Sequence, residues 1–217
     1  MPNDTTIVTS SGRFTQKQIA GTIPLNSSGC GALRSTQVEP PGLELSRSGA
    51  RFAIGQSAAL TGIAPVQAMP TTAAQWVIWN SSLTKSLVFE MAGMYLTAGT
   101  AGIQSTFVGA IISLPATAST KAGITVASLS GSTATTNALI NSGVTVTNPT
   151  APAWFILARD NSPCTVLLNV LAFNDNLQGT LIVPPLKGLA LCAIAPTGTS
   201  PLYAPMAQWT EIALDLE

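Results

Sequence analysis

A chain of 217 residues can bury one good hydrophobic core but not two large ones, and at 46% hydrophobic it is apolar enough to fold. Nine basic and nine acidic residues leave no net charge, and histidine is absent; this argues against a nucleic-acid partner and excludes any Ser-His-Asp or Cys-His nucleophile. With only 8% charged residues a free monomer is poorly protected against association, so either Ser and Thr hydroxyls wet the surface or copies of the chain cover one another.

In chain order, Met1-Pro2-Asn3-Asp4 has no basic stretch leading into an apolar run, and no secretory signal is expected there. Residues 1–50 lack dense apolar runs and are broken by Ser27-Ser28-Gly29-Cys30-Gly31 and Pro40-Pro41-Gly42. They read as an extended arm or loops. The arm could wrap a neighbouring subunit, be disordered, or belong to the domain, and Thr6–Thr9 and Gly42–Leu45 could each add a strand elsewhere. Its Arg13, Arg34 and Arg47 are candidate interface residues, too widely spaced for a genome-binding tail.

From Arg51 onward, short apolar runs alternate with turn signals, and a single domain is expected over 51–217. Expected strands are Arg51–Ile54, Gln75–Asn80 and Lys85–Leu96. The last is apolar on both faces except at Glu90, as in a strand between two layers or at a subunit contact; a helix is the competing reading. Thr106–Leu114 follows, then a stretch over 116–150 built almost wholly of small and hydroxylated residues. In it Gly123–Leu129 and Gly143–Thr147 alternate like strands, and Ser132–Ile140 is a loop or short helix. Low aromatic content suggests a peripheral excursion. Met91–Thr120 contains no charge, but its glycines and Pro115 argue against a membrane span.

The last third gives Trp154–Ala158, Cys164–Phe173, a turn at Asn174-Asp175-Asn176, Gly179–Val183, Lys187–Ala195 and Gln208–Asp215. In the final segment Trp209 and Glu211 share one face and Thr210 and Ile212 the other. Eight or nine strands without an amphipathic helix between them indicate an all-β antiparallel sandwich or barrel, with a jelly roll as the common eight-strand solution.

Little here suggests chemistry. Cys30, Cys164 and Cys192 are an odd set with no close pair, which argues against a metal site, and no cofactor is expected. Cys164 and Cys192 read as small buried residues, with a bridge between them as the minor alternative. Glu90 and Glu211 are the only acids in strong strands that could serve as a carboxylate pair; separate structural roles are the plainer reading. If Glu90 is buried it needs a partner, for which Lys187 and Arg159 are candidates; an oligomer axis and plain solvent exposure remain open. Trp76, Trp79, Trp154 and Trp209 are core or interface candidates, with an exposed sugar-binding platform as the alternative.

The run from Gly179 through Pro184-Pro185 and Leu189-Ala190-Leu191-Cys192 to Pro196, followed by Gln208-Trp209-Thr210-Glu211-Ile212, resembles the closing strands of jelly-roll virion proteins of tailed bacteriophages. These include decoration, cement and spike types. The resemblance covers about 40 residues. It implies a non-enzymatic capsid-associated protein, a homo-oligomer with the trimer favoured, bound to major capsid or other virion proteins. A carbohydrate- or receptor-binding module and a shell-forming subunit are the alternatives.

Overall fold

The computed structural model describes residues 4–9, 12–17, 26–27, 33–34, 43–55, 61–101, 105–146, 152–160, 172–195 and 198–214. The chain divides into two units, Met1–Leu43 and Glu44–Glu217. The first holds two antiparallel hairpins: β1 (Asp4–Thr9) with β2 (Gly12–Lys17), and β3 (Asn26–Ser27) with β4 (Leu33–Arg34). A short helix, α1 (Leu43–Arg47), follows where Gly42–Leu45 was one stretch that could have added a strand. Leu-Glu-Leu-Ser-Arg carries good helix formers and no β-branched residue, so local preference favours the turn of helix.

The second unit is a β-sandwich of two five-stranded antiparallel sheets. Its strands are β5 (Arg51–Ile54), β6 (Ala73–Asn80), β7 (Ser86–Ala101), β8 (Ser105–Ser113), β9 (Val126–Ser128), β10 (Ala138–Thr145), β11 (Phe155–Asp160), β12 (Ala172–Val183), β13 (Lys187–Ile194) and β14 (Gly198–Ile212). One sheet runs β10-β6-β13-β8-β11 and the other β12-β7-β14-β5-β9. The pairing is nested: β5 pairs with β14, β6 with β13, β7 with β12 and β8 with β11. This is a long hairpin folded over on itself, and its midpoint lies between β8 and β11. The segment inserted at that midpoint supplies β9, which extends one sheet beyond β5, and β10, which extends the other beyond β6.

The main core lies between the sheets around Trp76, Ile78, Phe89, Phe107, Leu189, Tyr203 and Trp209. Trp209 stacks on Phe52 at 6.3 Å between ring centroids and lies 6.0 Å from Phe89. A second apolar cluster contains Val77, Ala110 and Ala190. These three are in register across β6, β8 and β13, next to the core-facing Ile78 and Leu189, so they lie on the outer face of that sheet. Leu114, Ala118 and Trp154 cover them. Burial on both faces explains why β6, β8 and β13 read as continuous apolar runs.

Two sequence expectations change. The turn expected at Asn174-Asp175-Asn176 is instead paired strand, opposite Gly93, Ala92 and Met91. The break in β12 falls four residues later, where the register shifts between Asn176 and Leu181, Gly179 takes φ 82° and Thr180 Oγ1 donates to the Leu177 carbonyl at 2.7 Å. Over 132–140 the loop reading holds as far as Asn137, and β10 then starts at Ala138, because Ala138 and Ile140 are core residues opposite Asn80 and Ile78. The excursion is therefore not peripheral in energetic terms, since Ile124 also joins the core. No helix among the described residues is long and apolar enough to cross a membrane.

Candidate functional site

Glu90 owes its position to an irregularity in β7. Trp209 pairs with Phe89 and the preceding Gln208 pairs with Met91, so Glu90 is the extra residue of a β-bulge. Phe89 and Ala92 both face the core, and Glu90 is turned to the outer face. There it forms an ion pair with Arg51 of β5 and accepts a hydrogen bond from Thr210 Oγ1 at 2.7 Å. Arg51 and Thr210 are direct cross-strand partners, so the three side chains form one row across β5, β14 and β7. The sequence pointed to Lys187 or Arg159 as the partner of Glu90. Lys187 instead lies on the opposite sheet and donates to Ser113 Oγ at 3.1 Å; the Arg159 side chain is outside the described residues. At 26% exposure on each side, the Arg51–Glu90 pair contributes about 0–1 kcal/mol.

Glu211 is the deeply buried carboxylate. It shares the inward face of β14 with Trp209 and is 4% exposed. It accepts from Thr136 Oγ1 and from Asn137 through both the backbone N–H at 2.8 Å and Nδ2 at 2.6 Å. These bonds tie the inserted segment to the last strand just before β10 begins. Glu90 and Glu211 thus face opposite sides of one sheet, each committed to structural partners, and do not form a carboxylate pair.

Three of the four tryptophans are core residues. Trp76 and Trp209 are fully buried and Trp79 is 2% exposed, so none of them offers the surface contact or aromatic platform considered from the sequence. Trp76 reaches across the sandwich and its Nε1 donates to the Tyr203 carbonyl at 3.3 Å. Trp79 lies over Gly188, its cross-strand neighbour, where a Cβ would come within 2.4 Å of the ring. Trp154 is half-buried against the outer cluster, with Nε1 donating to the Thr71 carbonyl at 3.0 Å. Arg13 lies opposite Val8 in the first hairpin and Arg34 opposite Asn26 in the second. Arg47 closes α1 and is exposed.

Cys192 is a free thiol, wholly buried. Burial pushes its pKa from the ordinary 9.0 up to about 11; a hydrogen bond from the Gln75 backbone opposes the shift but is outweighed. Cys30 and Cys164 lie outside the described residues. Among the described residues no three of His, Cys, Asp and Glu cluster as metal ligands.

The most constructed polar site is one the sequence reading did not single out. Asn80 ends β6 and is 0% exposed. Its Nδ2 lies 2.8 Å from the Lys85 carbonyl, 3.1 Å from that of Val183 and 3.0 Å from that of Pro184. Its Oδ1 accepts from the Ser82 N–H at 3.0 Å. Ser82 Oγ in turn accepts from the Thr84 and Lys85 backbone N–H groups. One side chain therefore locks the β6–β7 turn to the β12–β13 turn. The second turn closes with the Lys187 N–H on the Pro184 carbonyl at 3.3 Å. Its third residue, Leu186, has φ 58°. Proline fixes a negative φ at Pro185, so this is the type II arrangement, which normally takes glycine at Leu186's position. The paired turns present Leu83 at 77% exposure and Leu186 at 45%, with exposed Lys85 and Lys187 beside them. The sequence signal was available: Pro-Pro followed by a residue other than glycine where glycine is favoured.

The chain matches no protein-family model, no curated protein and no solved structure.

Proposed function

We propose that this protein is a non-enzymatic structural subunit that works as a homo-oligomer, of the kind that decorates, stabilises or forms part of a virus or phage particle. The observation that carries the reading is the character of the sandwich surface. Among the described residues eight large apolar side chains are exposed, including Leu83, Ile111, Phe155 and Ile156. Charged residues make up only 8% of the chain, and among the charged side chains whose exposure is described only Arg47, Lys85 and Lys187 are exposed. A surface so poor in charge is suited to being covered. We read the nested strand order as that of a jelly roll, the architecture shared by many virion proteins, and it agrees with the resemblance carried by residues 179–212. The buried carboxylate Glu211 and the paired Glu90 support a structural reading, because both acids are held by neighbours in the fold.

The test is the concentration dependence of thermal unfolding of the full chain. An oligomer whose subunits stabilise one another shows a Tm that rises with protein concentration. A Tm independent of concentration over about two decades would remove the support for obligate association.

A further inference from the structure

Between β5 in one sheet and β6 in the other, the chain crosses an end of the sandwich where two strands run past their neighbours. β13 pairs with β6 only as far as Leu191 but with β8 as far as Ile194. β14 pairs with β5 only over Gln208–Thr210 but with β7 from Gly198 onward. Residues 61–69 take up the backbone groups on both overhanging edges. The Ile63 N–H donates to the Tyr203 carbonyl at 2.8 Å, and the Tyr203 N–H donates to the Ile63 carbonyl at 2.9 Å. The Val66 N–H donates to the Ala193 carbonyl and the Ala195 N–H to the Val66 carbonyl, each at 3.0 Å. Between Ile63 and Val66 the chain therefore fastens on both sheets. The hold is narrow. Ile63 packs against the core, whereas Thr61, Ala64, Gln67, Ala68 and Met69 are exposed. Gln75 of β6 is buried and bridges the segment to β13: its Nε2 donates to the Ala64 carbonyl, and its Oε1 accepts from the Ala193 N–H at 2.6 Å. Past Met69 the chain is fixed again. Pro70 is buried, Trp154 Nε1 donates to the Thr71 carbonyl at 3.0 Å, and the Val146 N–H donates to the Thr72 carbonyl at 2.6 Å.

We propose that residues 61–69 form a releasable strap, which swings off the end of the sandwich as one unit while both sheets stay folded. A segment held mainly by backbone bonds, with little apolar surface buried and a firm anchor on one side, belongs to the low-stability end of a structure and opens locally. Release uncovers the edge of β13 at Ala193–Ala195 and that of β14 at Tyr203. Strand edges of this kind pair with extended chains, so the closed strap guards the end of the sandwich against such pairing. Gln75 stays behind. It belongs to β6, so on opening it loses the Ala64 carbonyl and keeps the Ala193 N–H. Ala193 and Ala195, two residues apart on one strand, therefore part company when the strap opens. The proposal stands apart from the assembly role, because all of these contacts lie within one chain.

The experiment is amide hydrogen exchange of the full chain, resolved residue by residue and repeated across sub-denaturing urea. The Ile63, Val66, Ala195 and Tyr203 amides are expected to share one opening constant, at least about a hundredfold above that of core amides such as Ile78 and Leu189. Their urea slope is expected to be less than about a third of the core value, because a strap exposes little surface when it opens. Ala193 is expected to exchange with the core. Gly62→Ala loosens the strap at its seat on β14, since an added Cβ would meet Thr97 Oγ1 and lie 2.9 Å from the Leu202 carbonyl carbon. It should raise exchange at all four strap amides by the same factor, at least about tenfold, including Ala195 on the other sheet. Three results overturn the proposal: strap amides that exchange with the constant and slope of the core, Ala193 exchanging together with Ala195, or a variant that accelerates Tyr203 and leaves Ala195 unchanged.

Discussion

Asn80 illustrates how one buried amide can hold a fold. Its four hydrogen-bond partners come from two turns that are about a hundred residues apart in sequence. Asn80→Ala would strip those buried groups of their partner and should cost about 2–4 kcal/mol in urea unfolding. Glu211→Gln should cost about 1–3 kcal/mol, because the new amide brings N–H groups toward the donors of Thr136 and Asn137. At Cys192 the prediction concerns reactivity. Mass spectrometry after alkylation at about pH 8 should find Cys192 unmodified in the native protein and modified after denaturation. The sign of its pH linkage follows from the raised pKa. The contribution to stability is complete below the ordinary 9.0 and is lost as the pH rises toward about 11. A lone acid in an apolar strand made Glu90 conspicuous in the sequence. Its partner was hidden, because a bulge and a three-strand register set which cation it meets, and neither is written locally.

Among the elements, strands with strong apolar content were legible. β5 agrees with the expected Arg51–Ile54, and β6, β8 and β13 are displaced by only a residue or two at their ends. β14 is the instructive miss, starting at Gly198 rather than near Gln208. The strand contains both Pro201 and Pro205. The Tyr203 N–H bonds the Ile63 carbonyl, on the side away from β7. Strand alternation aims position 205 the same way, so the missing donor of Pro205 interrupts no bond to β7. The both-face burial expected of β7 belongs more fully to β6, β8 and β13, whose outer face is covered by residues distant in sequence. Gly188 also has an element-level role, giving room for the Trp79 ring across the β6–β13 pair. Gly188→Ala should therefore destabilise by about 1–3 kcal/mol through overpacking, measured as a fall in the urea midpoint with an unchanged m-value.

At the scale of the whole molecule, the nested pairing makes the fold depend on contacts far apart in the chain: β5 meets β14 and β6 meets β13. Folding should accordingly be slow for the size of the sandwich. The fold class was readable from strand spacing and turn residues, whereas the insertion of β9 and β10 at the hairpin's midpoint was not, because short Ser- and Thr-rich strands carry a weak pattern. For function the sequence offered only composition, 46% hydrophobic and 8% charged residues, from which the proposed assembly role is argued. Sedimentation equilibrium of the full chain over a range of concentrations tests that most directly. The account predicts a defined homo-oligomer, with the mass of a trimer favoured, persisting to low micromolar concentration. A single species with the mass of one 22.2 kDa chain at every concentration would contradict it.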